Sequence, residues 1–309
     1  MKNTIAVCIL AYNEQKHIAR TIKSITDHNS DIDFDIIVYA NGCTDNTVQI
    51  VNDLIPSYPN LAVRDIKEPG KPNAWNTAFN ENKDREVIVF SDADIEPEEG
   101  SIKVLYETLT STDNTSLASC QYWSQGHSLS LEQKFTGFLQ IPIKQSYLTG
   151  HFYAIKSSAY DAVFTKQNLS GIPLGVVAED GFVQRLVPAS QFTIINKKCF
   201  YEPPSIQDYL KYLARVRWQK EQIELYFKDQ LPDFTAFGEQ KLFPLASVID
   251  RWNNSESKLR FFQGVFVAMV RRVYHLITKS KVEEYYKAIG PIIVKGSGVL
   301  RDTRSESAK

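Results

Sequence analysis

The sequence predicts an α/β protein in which a mostly parallel sheet is flanked by helices and followed by a C-terminal helical extension. In the first hundred residues, short apolar runs typical of strands alternate with helical patterns, and Pro and Gly residues fall between them. Two longer helical patterns, at 205–228 and 258–279, come later in the chain. With 309 residues and 43% hydrophobic content, the chain can bury a large core.

The strands of the predicted sheet are assigned from β-rich apolar runs at 4–10, 34–39, 61–66 and 87–90. A first helix follows the first strand, because three apolar residues share one helical face: Ile18, Ile22 and Ile25. Asn13 is a suitable N-cap for this helix. A second helix is predicted to begin at Thr44-Asp45, and a third to cover residues around 73–80.

The pattern becomes less regular after about residue 110, where strand-like runs at 117–123 and 151–155 are separated by polar loops. We expect one main domain at 1–230 and a C-terminal helical extension at 231–309. The main domain is predicted to consist of two halves, at 1–110 and 111–230.

Composition argues against several classes of protein. The formal net charge is -1 and no long run of Lys and Arg occurs, so nucleic-acid binding is not expected. The four cysteines are widely separated, which argues against a zinc site or a disulfide framework. The longest late apolar run, 261–270, contains Gln263 and is too short to cross a membrane. These features predict a cytoplasmic protein that is not integral to a membrane.

Two common nucleotide-binding motifs are missing from the sequence. No G-x-G-x-x-G pattern follows the first strand, and no G-x-x-x-x-G-K-[ST] pattern occurs anywhere. The sequence therefore does not support a dehydrogenase or a P-loop nucleotide-hydrolysing enzyme.

Polar residues are concentrated in the loops that follow the predicted strands. In open parallel sheets, ligands bind outside the carboxyl ends of the strands, so these loops are where a site is expected. We expect them to lie along one rim of the sheet. They are Tyr12-Asn13-Glu14, Asn41-Gly42-Cys43-Thr44-Asp45, Gly70-Lys71 and Ser91-Asp92-Ala93-Asp94.

Asp92 and Asp94 are two residues apart at the end of a buried strand, so both side chains point to the same side if the chain stays extended. Their charges repel each other unless a positive group is nearby. A hard divalent cation such as Mg²⁺ or Mn²⁺ suits oxygen ligands of this kind. Such an ion would bridge the two phosphates of a nucleotide-diphosphate donor. An Asp-x-Asp pair by itself is also found in turns and helix caps.

Taken in order, these loops resemble the inverting glycosyltransferases of family 2, which have the Rossmann-like GT-A fold. The similarity extends over roughly residues 4–220, and the order and spacing of the motifs are more specific than any single one. The matching segments are 6–14, 41–47, 70–76, 91–94, Ala178-Glu179-Asp180 with Arg185-Leu186, and Arg217-Trp218.

The resemblance implies that the half at 1–110 binds the nucleotide sugar and that the half at 111–230 binds the acceptor. It also implies a role for each matching residue. Asp94, together with Asp92, would bind the metal, and Asp180 would be the general base that takes a proton from the acceptor hydroxyl. The acceptor side would include Glu179, Trp218 and His151. The donor would be bound by Ala11, Tyr12, Glu14, Asn41, Lys71, Asp92 and Arg217.

The chain departs from the family pattern at two positions. Asn41 stands where the second loop usually carries an acid, and an amide both donates and accepts hydrogen bonds whereas a carboxylate only accepts them. A nucleobase other than uracil is therefore compatible with this loop. Ala214 stands where the family's processive synthases carry Gln, and no membrane helices are predicted after it. A processive polymer synthase is not expected.

Several of these residues also have ordinary structural interpretations. Glu179-Asp180 would suit the beginning of a helix, where acids interact favourably with the helix dipole. Trp218 would suit the core. His151 would suit a hydrogen-bonded structural position, and Lys71 a solvated loop.

The second late helical pattern has an apolar face flanked by basic residues. The apolar residues are Phe261, Phe262, Val265, Phe266 and Met269, and the basic residues are Arg260, Arg271, Arg272, Lys279 and Lys281. Such a helix could cover the core of the catalytic domain, or it could lie on an anionic membrane surface.

We therefore expect an inverting, metal-dependent glycosyltransferase that moves a sugar from a nucleotide-diphosphate donor to a saccharide or lipid-linked saccharide acceptor. The resemblance implies a role in bacterial surface glycan synthesis, in the cytoplasm or peripherally at the inner membrane face. One alternative is a catalytically silent module that binds a nucleotide sugar or a partner protein, although Asp92, Asp94 and Asp180 are all intact. A nucleotidyltransferase is a weaker alternative, because residues 9–14 lack a glycine-rich triphosphate loop.

Overall fold

A mixed sheet runs through the centre of the computed structural model, which describes residues 3–125, 129–140, 147–174, 176, 178–230 and 258–294. Its strands are β1 (Ile5–Ala11), β2 (Asp35–Asn41), β3 (Leu61–Ile66), β4 (Val87–Asp92), β5 (Ile95–Pro97), β6 (Leu117–Ser124), β7 (Phe152–Lys156) and β8 (Phe192–Tyr201). Across the sheet they occur in the order β3-β2-β1-β4-β7-β6-β8-β5. The first four strands along the chain are mutually parallel, whereas β7 runs antiparallel to β4.

Helices cover the sheet, and the α/β class predicted from the sequence is confirmed. They are α1 (Ile18–Asp27), α2 (Thr47–Leu54), α3 (Lys71–Asn82), α4 (Ser101–Thr110), α5 (Leu131–Gln140), α6 (Ser157–Lys166), α7 (Glu179–Arg185), α8 (Ile206–Gln230) and α9 (Lys258–Val294). The alternation of β1–β4 with α1–α3 follows the predicted one, and β3 has the predicted boundaries.

The sheet is buried on both faces. Successive side chains of a strand point to opposite faces, so Ile5, Val7 and Ile9 of β1 pack into one core while Ala6 and Cys8 pack into the other. Strands buried in this way are expected to be apolar along their whole length rather than alternating. This explains why the strand signals in the sequence are continuous apolar runs.

The predicted start of the first helix is wrong. Asn13 has a left-handed backbone (φ 57°) and does not cap α1, whose N-cap position is occupied by His17. The Asn13 side chain instead accepts a hydrogen bond from the backbone N–H of Thr44 at 2.8 Å. The second helix begins three residues later than Thr44, at Thr47, whose N–H donates to the Asp45 carboxylate at 3.0 Å. At the first helix, a contact between the two loops has therefore replaced the cap expected from the local sequence, whereas Asp45 still accepts a hydrogen bond from the start of the second helix.

The sheet brings the site segments to a common edge. The parallel strands β1, β2 and β4 all end at the same edge, as predicted. Because β7 is antiparallel to β4 and Ser91 pairs with Phe152, the beginning of β7 lies at the same edge as the end of β4. Residues from the second half of the chain thus join the predicted rim.

The two C-terminal helices pack against each other. Tyr286 of α9 is buried with Ala214 and Trp218 of α8, and the Phe266 ring lies 6.2 Å from that of Phe138 on α5. Among the described helices, none combines the length and apolar character needed to cross a membrane. Residues 231–257, which follow the predicted domain boundary, lie outside the described residues, so the division at 230 remains a prediction.

Candidate active site

The loops that follow β1 and β2 are joined by hydrogen bonds. Besides the contact between Asn13 and Thr44, the backbone N–H of Gln15 donates to the Asp45 carboxylate at 3.1 Å, and the Gln15 side chain accepts from the N–H of Asn46 at 3.2 Å. Each loop therefore holds the other in place. The first two predicted binding loops form one structural unit.

Asn41 links the second loop to the third. Its side-chain oxygen accepts a hydrogen bond from the N–H of Gly70 at 2.9 Å, and the residue is buried. Gly42 beside it has φ +65°, and an added Cβ would lie 2.8 Å from the Pro69 Cβ, so only glycine fits without displacement. Asn41 thus has a structural role, because its side-chain oxygen positions the segment that begins with Lys71.

Lys71 lies between two carboxylates. Its Nζ is 2.8 Å from Asp92 Oδ1 and 2.7 Å from Glu179 Oε1. Burial opposes the charged amine, but Asp92 and Glu179 together raise the pKa of Lys71 well above its ordinary value. Lys71 therefore connects the end of β4 to the beginning of α7, two elements almost ninety positions apart in the sequence.

Glu179 is the more buried partner of Lys71, and its side chain is only 5% exposed. Burial raises the pKa of Glu179 to about 7, and the charge of Asp180 acts in the same direction, although Lys71 opposes the shift. Glu179 therefore changes protonation near neutral pH. The contact with Lys71 stabilises the charged form of Glu179 in this buried position.

Asp92 is held from both sides. Its Oδ2 is 3.1 Å from the Nδ1 of His151, and its backbone N–H donates to the His151 carbonyl at 2.9 Å. The imidazole also stacks on the Tyr201 ring, with centroids 5.2 Å apart and planes 6° apart. Burial opposes ionisation, but Lys71 and His151 lower the pKa of Asp92 to about 2. Asp92 is therefore fully ionised at neutral pH and fixed in orientation.

Asp94 differs from its neighbour. Burial raises the pKa of Asp94, and the negative charge of Asp92 raises it further. Among the described residues, no side chain forms a hydrogen bond or ion pair with the Asp94 carboxylate. His151, His17 and Lys71 oppose this rise in pKa without contacting the carboxylate, so the Asp94 oxygens remain available to a cation. The described residues contain no group of three or more His, Cys, Asp or Glu side chains that could hold a metal by themselves.

Asp180 lies beside this network. Its Oδ2 accepts a hydrogen bond from the N–H of Gly150 at 3.0 Å, and its Oδ1 accepts from the N–H of Gly181 at 2.7 Å. An added Cβ at Gly150 would lie 3.1 Å from Asp180 Oδ2, so the backbone approaches the carboxylate closely. Gly150 contacts Asp180 while the next residue, His151, contacts Asp92. One dipeptide thus joins the two carboxylates that the family resemblance assigns to catalysis and to metal binding.

The first predicted donor loop lies at the same rim. Ala11 is buried, and its carbonyl oxygen is 3.5 Å from the Cys43 sulfur, whereas Tyr12 is exposed. The Glu14 carboxylate lies 2.8 Å from the Nδ1 of His17. Burial raises the pKa of Glu14, and the charges of Asp94 and Asp92 raise it further, so Glu14 belongs to the same electrostatic cluster.

Two predicted site residues, Arg217 and Trp218, contact α8 and α9 rather than the residues at the sheet edge. Arg217 on α8 pairs with Glu221 at 3.2 Å and Glu283 at 2.6 Å, and its guanidinium lies 4.4 Å from the centre of the Tyr286 ring. Trp218 is 93% buried in the cluster that joins α8 to α9. The structure thus gives both residues a packing function, and their assignment to donor and acceptor binding remains a prediction.

Sequence reasoning missed three contributors to this site. They are the hydrogen bond from Gly150 to Asp180, the stacking of Tyr201 on His151 and the ion pair of Lys71 with Glu179. Each of these contacts joins segments that are distant in the chain. Gly150 directly precedes His151, which the family resemblance assigns to the acceptor side. Nothing local to Tyr201 distinguishes it from a core tyrosine.

Comparison with known proteins gives one family. The family model described as glycosyl transferase family 2 matches residues 6–164. The mannosyltransferase PcManGT from Pyrobaculum calidifontis, solved with GDP-Man and Mn²⁺, is similar in structure with a TM-score of 0.55 at 16% identity, over 93% of this chain and 86% of that chain. This likeness supports a shared GT-A fold. No curated protein matches the sequence significantly.

Two further solved structures are similar at a lower level. S. aureus TarS 1–349 is 17% identical, with a TM-score of 0.49 over 98% of this chain and 94% of that chain. Glucosyl-3-phosphoglycerate synthase from Mycobacterium tuberculosis, solved with Mn²⁺ and UDP-glucose, is 20% identical, with a TM-score of 0.47 over 72% of this chain and 79% of that chain.

Proposed function

The chain belongs to glycosyl transferase family 2 and is a glycosyltransferase, and from this premise we propose that it transfers a sugar from a nucleotide-diphosphate donor to an acceptor hydroxyl with inversion. The observation that carries the proposal is the Gly150-His151 dipeptide, which contacts Asp180 with its first residue and Asp92 with its second. A base and a donor-binding carboxylate joined in this way can act on one substrate pair.

The donor is proposed to bind along the rim formed by the first three loops. Tyr12 is exposed there, and Asn41 uses its amide oxygen to hold Gly70, which leaves its N–H₂ group to donate to a nucleobase. Lys71 offers a positive charge close to Asp92 and Glu179. A cation at this position suits the diphosphate of the donor.

A divalent metal such as Mg²⁺ or Mn²⁺ fits the residues at the end of β4. The Asp94 carboxylate has no hydrogen-bond or ion-pair partner among the described residues, and Asp92 adds a second negative charge nearby. These two residues would hold the ion, with Asp94 as the principal protein ligand. When bound, the ion neutralises negative charge on the departing nucleoside diphosphate.

Asp180 is proposed as the general base. The N–H groups of Gly150 and Gly181 each donate to one of its oxygens, which orients the carboxylate and leaves further lone pairs for an acceptor hydroxyl. The acceptor oxygen would attack the anomeric carbon from the face opposite the diphosphate. The carbon–oxygen bond to the diphosphate breaks, and the hydroxyl proton passes to Asp180.

The acceptor is proposed to be a saccharide or a lipid-linked saccharide, and the setting to be bacterial surface glycan synthesis in the cytoplasm. On the acceptor side, Glu179 precedes Asp180 directly, and His151 follows Gly150, whose N–H donates to Asp180. The substrate class rests on the family resemblance, and the geometry is compatible with an acceptor that approaches beside α7.

The Asp180→Asn variant tests the proposed base. The side chains are nearly equal in size, so donor binding with Mn²⁺ is expected to persist, while transfer falls by about 10²–10⁴-fold because proton removal is lost. A thermal-shift screen of UDP-, GDP-, dTDP- and CMP-sugars first identifies the donor, since a ligand that binds the folded state raises its stability. Single-turnover transfer with that donor then measures the chemical step.

Asp94→Ala is the matched comparison for this test. It should weaken metal-dependent donor binding while leaving Asp180 in place. Unchanged turnover in Asp180→Asn would assign the base elsewhere. A wild-type chain that binds a donor but neither transfers nor hydrolyses it would favour the catalytically silent module.

A further inference from the structure

Helix α9 exposes an apolar stripe. Five of its apolar side chains are each more than half exposed: Phe266, Met269, Val273, Leu276 and Ile277. Their spacing places them on one side of the helix, because residues three, four and seven apart share a face. Large apolar side chains grouped in this way on a surface usually mark a contact with another molecule or a membrane.

The opposite side of α9 already packs against the protein. Val267 and Tyr286 are buried, and the Tyr274 ring lies 5.4 Å from that of Phe135 on α5. The helix therefore has one face that can cover the catalytic domain and another that is free to lie on a membrane surface, which are the two uses expected from the sequence. One side of the helix covers the protein, and the stripe lies on the other side, although the Phe266 ring at its edge also lies 6.2 Å from that of Phe138.

The charges beside the stripe are basic except at its C-terminal end, where Glu283 lies near Leu276 and Ile277. From Lys258 to Val282 the sequence contains six basic residues and no acidic residue. Arg272 and Lys279 are exposed, and their positions on the helix place them along one edge of the stripe. The acidic residues that follow are already paired, since Glu283 contacts Arg217 at 2.6 Å and Glu284 contacts Lys281 at 2.9 Å.

We infer that this stripe docks the enzyme on an anionic lipid bilayer. An apolar face bordered by Lys and Arg binds such an interface by inserting its apolar side chains while its cations remain near the lipid headgroups. A second copy of the chain fits less well, because apposed stripes would bring the Arg272 and Lys279 side chains of both copies together. The basic edge attracts a negatively charged surface instead.

The docking surface is one helix layer away from the proposed base. Helix α9 packs on α8, and Ile223 of α8 lies against α7, since an added Cβ at Gly181 would be 2.9 Å from Ile223 Cδ1. Gly181 follows Asp180 directly. The inference rests on the proposed function in one respect: it favours a lipid-linked acceptor, presented to Asp180 from the bilayer.

Vesicle flotation of the full-length chain tests the inference. The wild type is expected to float with vesicles that contain phosphatidylglycerol at low salt, and much less with pure phosphatidylcholine vesicles or at high salt. Ile277→Glu should lower the partition coefficient by about tenfold or more, because one inserted aliphatic side chain is lost. Leu174→Glu is the matched control, since Leu174 is similarly exposed but lies outside the stripe. This control should float like the wild type.

The outcomes separate this inference from the proposed reaction. Absence of wild-type flotation, or equal losses in the two variants, would overturn the docking surface. A dimer in sedimentation velocity that Ile277→Glu dissociates, without vesicle binding, would assign the stripe to a second copy. Donor binding with Mn²⁺ is measured on the same samples without lipid. Its loss in the wild type would count against the reaction and not against the membrane contact.

Discussion

Lys71 and Arg217 are both cations that contact two carboxylates, yet their surroundings differ. Lys71 contacts Glu179, whose side chain is 5% exposed, at the end of the central sheet. Arg217 contacts Glu221, whose side chain is 40% exposed, on the outside of α8. Both cations belong to segments that resemble family motifs, although the segment that contains Arg217 departs from its motif at Ala214.

The comparison indicates that burial, and not the number of contacts, determines how much an ion pair of this kind affects stability. Removing the cation from a buried pair leaves an uncompensated charge in a poorly solvated place, whereas an exposed pair can be replaced by water. Lys71 is therefore expected to stabilise both the fold and the charges of Asp92 and Glu179 in the site. Arg217 joins α8 to α9 through exposed ion pairs, which are expected to contribute little to stability.

The largest effect is expected for Lys71→Met. The free energy of unfolding should fall by about 2–3 kcal/mol at pH 8, less than for a fully buried pair because the Lys71 side chain is 36% exposed and Glu179 can take up a proton. Urea unfolding measures this. Lys67→Met is the control, since its ion pair with Asp65 is on the surface. Equal losses in the two variants would show that burial is not the deciding factor.

The second effect concerns pH. The pKa of Glu179 is raised from 4.5 to about 7 in the folded state, so between these values the folded protein retains a proton that the unfolded chain has released. Wild-type stability should therefore fall as pH rises from 4.5 to 7 and then level off, by on the order of 1–3 kcal/mol relative to Glu179→Gln. Unfolding of both proteins at pH 5, 6, 7 and 8 measures the difference.

Glu283→Gln provides the comparison for this pH series, because Glu283 pairs with Arg217 on the surface. The difference from the wild type should vary more with pH for Glu179→Gln than for Glu283→Gln. If the Glu179→Gln difference is constant with pH, Glu179 is not protonated near neutral pH in the folded protein.

Gly150→Ala is expected to lower the rate of transfer by about tenfold, since misplacement of a catalytic group by less than an ångström is costly. The new Cβ would lie 3.1–3.3 Å from Asp180 and has to displace it. Single-turnover kinetics should show a lower kcat with little change in donor affinity. Thr149→Ala, a neighbouring change that adds no atom against Asp180, should retain wild-type kcat. A loss confined to donor affinity would contradict the positioning of Asp180 by Gly150.

The smallest effect is expected for Arg217→Met. Its ion pairs are exposed, so stability should change by no more than about 0.5–1 kcal/mol, and less at high salt. Donor affinity should be unchanged if the guanidinium serves only the α8–α9 contact. Isothermal titration with the identified donor checks this, and a large rise in Kd would support the donor-binding role predicted from the resemblance.

Several local features proved different from their sequence interpretation because another segment competed for the same group. Asn13 was a good N-cap by its residue type, but its side chain accepts from Thr44 in the neighbouring loop. The sequence allows Trp218 either to contact the acceptor or to lie in the core, and in the structure it packs between α8 and α9. Local propensity cannot anticipate such partners, because they are brought close only by folding.

The sequence by itself determined the alternation of strands and helices, the polar loops at the strand ends and the family to which the chain belongs, because these depend on patterns within short segments. The tertiary structure decided which side chains meet. Lys71 reaches Glu179, Gly150 reaches Asp180 and His151 reaches Asp92 because β7 runs antiparallel to β4 and α7 lies over the same edge. Contacts between distant segments depend on the packing of the whole chain, and no local pattern records them.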